Sequence, residues 1–157
     1  MFRKMRREKQ ALSQEETVRL FENGTSGVLA VSGDDGYPYA VPLSYVYTDG
    51  KLYFHCATDG HKLDAVKSCN KASFCVIAQD RVVPEEVTTH YASAIAFGKV
   101  MIVVDPAEKR RGLDLLMEKY CRSNGAEKNN AEIVDSWDRV HVLLLDIEHM
   151  TGKATKN

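Results

Sequence analysis

The sequence predicts a mainly β fold, a small antiparallel barrel with helices at its margins. Three observations carry this. The first three strand-like runs are joined by turn signals alone, two later runs are long and rich in β-branched and aromatic residues, and the helical patterns lie around this array. A doubly wound parallel sheet needs a helix between successive strands, which the first three lack. Neither a GxGxxG nor a Walker sequence occurs, so a Rossmann dinucleotide site is excluded.

The elements follow in order. Ser13 and Glu16 have capping-box spacing, and Val18, Leu20 and Phe21 supply an apolar face, so a helix is expected over about 13–23. Val28-Leu29-Ala30-Val31 is a strand, and Gly33-Asp34-Asp35-Gly36 a turn. Residues 37–47 alternate, with Tyr37, Tyr39, Val41, Leu43, Tyr45 and Tyr47 on one face of a second strand. Thr48-Asp49-Gly50 turns the chain into a third strand, Lys51–Ala57. Gly60 breaks it, and a short helix begins at His61 and ends near Asn70. Strands follow at about 72–83 and 88–104. Asp105 is a helix N-cap, with Pro106 at the first position and Glu108 at the third. Leu113, Leu116, Met117 and Tyr120 make that helix amphipathic to about residue 121. A weaker helical stretch covers Ala131–Trp137, and Val140–Ile147 is a last, very apolar strand.

Composition narrows the function. The chain has 157 residues, 44% of them hydrophobic, enough for one domain with a sizeable core. Lys+Arg total 21 against Asp+Glu 22, a formal charge of −1, which steers neither nucleic acid nor an anionic membrane. No apolar run approaches the ~18–20 residues of a membrane span. The basic start MFRKMRREKQ has no apolar stretch behind it, so it is no secretory signal, and these residues are expected to form a mobile arm. Cys56, Cys69, Cys75 and Cys121 form no CxxC pair, which points to a reduced, cytoplasmic protein without zinc.

Chemistry-bearing residues concentrate in two places. Pro38 and Pro42 donate nothing to a sheet ladder, so their strand is an edge or bulge, or else carries a ligand against the backbone of Val41–Ser44. The run Tyr53–Lys62 passes from an apolar strand through Gly60 into a helix start, where backbone N–H groups are unsatisfied and anions settle. His61 and Lys62 add cations there, against the helix dipole; they are either an anion site or two surface residues. His55 in the third strand is read alone as a hydrogen-bonded core residue rather than a catalyst. His55, Cys56 and His61 lack zinc spacing, and no GxSxG elbow exists.

Taken together, Gly36–Tyr45, Tyr53–Ala57 and Gly60-His61-Lys62 resemble the flavin-binding split-barrel family related to pyridoxamine 5′-phosphate oxidase, and within it the nitroimidazole-resistance (Nim-type) branch. Val83–Glu86, Tyr91–Gly98 and Ile147–Lys153 extend the resemblance over about Met5 to Lys153. It implies a split β-barrel of the FMN-binding type, in a cytoplasmic homodimer with FMN at the subunit interface. Cofactor-binding residues are then Val41, Pro42, Leu43 and Ser44 along the flavin ring, His55, Cys56 and Ala57 on the third strand, His61 and Lys62 at the phosphate, and Tyr91 and Ser93 from the other subunit. His55 takes the catalytic position facing flavin and substrate. The family often has Arg between that Tyr and Ser; here it is Ala92, which weakens the case for an anionic contact there. The activity implied is reduction of a small electrophile, such as a nitroaromatic, with a nicotinamide reductant. A non-catalytic flavin-binding or redox-sensing protein is the alternative. Pyridoxamine-phosphate oxidation needs further cations for the substrate phosphate, and the sequence displays no second anion motif.

Overall fold

A computed structural model describes residues 1–155. Seven strands form one antiparallel sheet: β1 (Ser26–Ser32), β2 (Pro38–Ser44), β3 (Val46–Thr48), β4 (Lys51–Ala57), β5 (Lys71–Val83), β6 (Thr88–Ile102) and β7 (Val140–Ala154). Their order across the sheet is β2-β1-β5-β6-β7-β4-β3. The helices are α1 (Gln14–Asn23), α2 (His61–Ser68), α3 (Pro106–Tyr120) and α4 (Ala126–Ser136). The sheet curls but does not close, giving an open, split barrel.

The two outer strands, β2 and β3, are consecutive in the chain. The alternating segment 37–47 is therefore not one strand. It breaks at Tyr45, and its two parts pair with opposite ends of the sheet. The inward face is nonetheless continuous, because Tyr39, Val41, Leu43, Tyr45 and Tyr47 all pack on the same core. The break is held by polar contacts. The Tyr120 hydroxyl accepts the Tyr45 N–H at 3.0 Å, and the Tyr45 hydroxyl donates to the Phe21 carbonyl at 2.6 Å. Tyr37 lies outside the strand and is 75% exposed. Pro38 and Pro42 sit on an edge strand, where a missing donor costs least.

Inside the barrel, Phe54 and Phe74 (5.0 Å between rings) and Tyr45 and Phe74 (4.9 Å) join Leu29, Leu52, Leu143 and Leu145. A second core lies outside it, where Leu113 and Leu116 of α3 and Ile133 of α4 cover Tyr53, Val142 and Leu144. Leu52–Phe54 of β4 and Val142–Leu145 of β7 are thus buried on both faces of the sheet, which explains the unbroken apolar run of Val142–Leu145. Gly112 permits this approach: a Cβ there would stand 2.9 Å from Tyr53 and Val142 side-chain atoms.

The capping box at α1 is present, with Glu16 accepting the Ser13 N–H at 2.7 Å and Ser13 Oγ accepting the Glu16 N–H at 3.1 Å. Asp105 caps α3 through the Glu108 N–H at 2.9 Å. Helix α4 begins at Ala126, five residues before the sequence pattern shows it, because its first turn is polar and Gly125 provides no capping side chain. Strand β7 runs on to Ala154, past the apolar stretch. A bulge between Phe97 and Gly98 shifts its register, and the polar residues beyond pair with β6. Ahead of α1, the Phe2 ring stacks on His149 at 4.7 Å, and Ala11 bridges to Lys153.

Candidate functional site

The split in the barrel is a backbone feature. Strand β4 pairs with β7 along Lys51–Ala57, but with β3 only along Lys51–Tyr53. On that side Phe54–Ala57 have no strand partner among the described residues. Strand β2 pairs with β1 from Pro38 to Ser44 and, among the described residues, has no strand on its other side. Two strand edges without a strand partner, one on β2 and one on β4, thus flank the split and leave backbone groups there for a ligand. The space between them is the candidate slot. Tyr45 joins them at one end. At the other, the rings of Tyr39 and His61 stack at 4.1 Å and 26°, tying β2 to the start of α2.

That second end is cationic. Gly60 precedes α2 at φ 124°, a conformation that glycine adopts freely. The Leu63 and Asp64 N–H groups turn back to the Gly60 carbonyl, at 3.0 and 3.2 Å, and Gly60 has no side chain to cap those of His61 and Lys62. His61 Nε2 stands 3.6 Å from Asp34 Oδ2, a carboxylate largely in solvent. Lys62 has no ion pair among the described residues. Its charge is felt at Cys56, whose thiol is pushed up by burial and partly drawn back by Lys62. The pattern of unpaired amides beside His61 and Lys62 suits an anion.

Side chains on β4 divide by face. Phe54 and Cys56 enter the barrel core, so Cys56 offers the slot its backbone and not its sulfur. His55 points the other way and is exposed. With Ser44 it lines a cavity of about 340 Å³ whose remaining wall is mostly α3 and α4. Helix α3 is fastened there at both ends. The Tyr53 hydroxyl donates to Glu108 Oε1, and burial with that carboxylate pushes the phenol up to about 12. At the far end the Tyr120 oxygen lies 2.6 Å from the Thr25 and Tyr45 carbonyls, and the Lys119 ammonium sits 4.3 Å over the Tyr45 ring. Burial lowers the pKa of Lys119. The half-buried Val41 and Leu43 face the core, whereas Pro42 and Ala57 are exposed.

Tyr91 and Ser93 do not join this group within one chain. They line a separate cleft of about 690 Å³ with Ile77, Arg6, Arg7 and Lys153. The Tyr91 hydroxyl donates to Gln10, and the Lys153 ammonium lies 5.2 Å over its ring. Sequence reasoning missed this cluster. Its only trace was the basic run MFRKMRREKQ, whose position beside Tyr91 depends on the Ala11–Lys153 bridge and was not visible in the pattern. No three His, Cys, Asp or Glu residues converge on a metal position among the described residues. No helix among them is long and apolar enough to cross a membrane.

An open seven-stranded antiparallel barrel, with a cationic helix start at one end of its split, defines a split-barrel protein. The family model for pyridoxamine 5′-phosphate oxidase matches residues 13–154, and the chain belongs to that family, which includes flavin-dependent enzymes. Among solved structures, it is similar to a candidate 5-nitroimidazole antibiotic resistance protein from Bacteroides thetaiotaomicron. That match has 23% identity and a TM-score of 0.77, over 91% of this chain and 85% of that one. It is also similar to an FAD and heme binding protein from Mycobacterium smegmatis, with 21% identity and a TM-score of 0.72 over 94% and 74% of the two chains. An FAD-binding protein from Mesorhizobium loti matches at 21% identity and a TM-score of 0.62, over 93% and 97%. No curated protein matches the sequence.

Proposed function

We propose that this chain is an FMN-dependent oxidoreductase of the Nim type that reduces a small electrophile, nitroaromatics included. The observation that carries the reading is the slot itself, bordered by the free edges of Val41–Ser44 and Phe54–Ala57 and ending at His61 and Lys62. These groups fit the cofactor. Edge N–H and C=O groups match the hydrogen-bonding rim of an isoalloxazine ring, and the start of α2 with its two cations matches a phosphate. FMN, when bound, supplies the transfer of electrons between a nicotinamide reductant and the substrate. The protein's own residues bind and orient: Lys62 and His61 hold the phosphate, the β2 backbone aligns the ring, and the exposed imidazole of His55 donates a hydrogen bond or proton to a substrate atom.

The reading includes a homodimer. Val28, Ile77 and Phe97 are 37%, 69% and 36% exposed on the outward face of β1, β5 and β6, an apolar surface suited to a two-fold contact. Tyr91 and Ser93 border that face, so a partner's slot is where they would act. Arg6, Arg7 and Lys153 stand beside them and offer the positive charge that Ala92 does not.

The test is anaerobic reduction of the FMN-loaded protein by NADH or NADPH, followed by re-oxidation with a nitroaromatic. Both steps should outrun those of free FMN. A protein that holds FMN tightly and accelerates neither step is the non-catalytic flavin binder instead. Two of the structural relatives are described as FAD-binding, so FAD belongs in the same experiment as a competing ligand.

A further inference from the structure

The cavity behind His55 has a chemistry that the slot lacks. It lies between the outward face of β4 and helices α3 and α4, with a volume of about 340 Å³, within the size range of small-molecule sites. Leu113, Leu116, Met117 and Ile133 make its wall apolar. Neither His61 nor Lys62 lines it, so it stands apart from the anion end. Ser44 and His55 border both it and the slot.

One lining residue, Glu132 of α4, is a carboxylate, and it has no ion-pair partner among the described residues. The nearby Arg139 is closed on Asp135 at 2.7 Å and feels Glu132 only as the weaker of its two carboxylate neighbours. An anion entering here meets a carboxylate and no lysine or arginine. A protonated or N–H-bearing ring gains a charge-assisted hydrogen bond instead.

We propose that this cavity is the substrate subsite of the reaction proposed above, and that Glu132 selects a small aromatic ring carrying a cationic or hydrogen-bond-donating nitrogen. The inference rests on the flavin reading for its reaction, but its binding preference is separately measurable. Apolar residues take the ring, Glu132 takes the nitrogen, and His55 meets the opposite end at the slot. Glu132 is exposed on α4, so its replacement leaves the fold intact.

Benzylamine and benzoate share a ring and differ in charge, and serve as probes. Their dissociation constants are read by NMR, following the His55 ring signals, on protein saturated with FMN. Benzylamine should bind about three- to tenfold more tightly than benzoate, the range for a charge pair partly open to water. Glu132→Gln should bring the two to parity, and Glu132→Lys should invert the order. In turnover, Glu132→Gln should raise KM for 4-nitrobenzylamine and leave its kcat unchanged. Equal probe affinities in the native chain, an unchanged ratio in Glu132→Gln, or binding that leaves the His55 signals unmoved would overturn the inference. A chain that binds no flavin yet shows this charge order overturns the flavin reading and upholds the selectivity of the cavity. A working flavoprotein without the order overturns this inference alone.

Discussion

The ring of Tyr39 lies 4.1 Å from that of His61, and this stack carries the free edge of β2 across to the start of α2. It makes the split in the barrel a slot closed at both ends, since Tyr45 closes the other. In the function proposed above, a phosphate at α2 and a flat ring along β2 would thereby be set in one line. Each of the following expectations depends on that arrangement or on the helices packed beside it.

Among the described residues Lys62 has no carboxylate to neutralise it, so its charge is available to a ligand. A charge-assisted hydrogen bond contributes about 1.5–3 kcal/mol. Lys62→Ala should therefore weaken FMN binding by roughly one to two orders of magnitude, at ~1.4 kcal/mol per tenfold. Fluorescence titration with riboflavin, which has no phosphate, should give almost the same affinity for both proteins. An equal loss for FMN and riboflavin would place the effect elsewhere than the phosphate.

His55 faces the cavity and not the barrel core, so its removal leaves no hole in the packing. His55→Ala should keep FMN bound and slow the re-oxidation of reduced flavin by a nitro compound, by about 10²-fold if the imidazole donates a proton. Stopped-flow absorbance at the flavin band reads the step directly. Loss of flavin on purification would contradict the assignment.

Gly112 sits where α3 crosses β4 and β7. A methyl group there comes within 2.9 Å of Tyr53 and Val142. Gly112→Ala gains helix propensity of up to ~1 kcal/mol but forces the two strands and the helix apart. The net effect should be a destabilisation of about 1–2 kcal/mol, read as an earlier urea midpoint. A later midpoint would mean that the second core is loosely packed.

The Tyr53 phenol is raised to about 12 by burial and by Glu108. Its folded value lies above the unfolded value of 10.0, so the folded state holds this proton more tightly. The contribution is complete below pH 10 and is lost as pH rises from 10 towards 12. Urea midpoints should accordingly fall across that window, and Tyr53→Phe should flatten the fall. Buried Tyr45 shifts in the same direction and will leave a residual slope in the variant.

Much of this fold was legible in the residues. Ser13 with Glu16 and Asp105 with Pro106 announce their helices through local capping, which needs no tertiary context. Alternation exposed β2 and β3, but not the break between them, because the inward face stays continuous through Tyr45 while the hydrogen-bonding partner changes. That change is decided by Tyr120, 75 residues away. The second half of β7 was missed for a related reason: Glu148–Lys153 is mostly polar, with Met150 alone packed on the core, and its pairing with β6 makes it a strand. At the site, His61 and Lys62 stood out as cations opposing a helix dipole. Tyr39, which stacks on His61, read only as one more inward aromatic. Arg6 and Arg7 could not be joined to Tyr91 from the pattern, since no periodicity links a terminal run to a strand some 85 residues on.

The central claim is that a flavin phosphate and ring occupy the slot between β2 and β4. Purified protein should be yellow, with the visible absorption bands of an oxidised flavin, and after cofactor removal it should regain them on titration with one FMN per chain. Light scattering of the same sample should give a dimer. A colourless protein that also fails to bind added FMN would contradict the account.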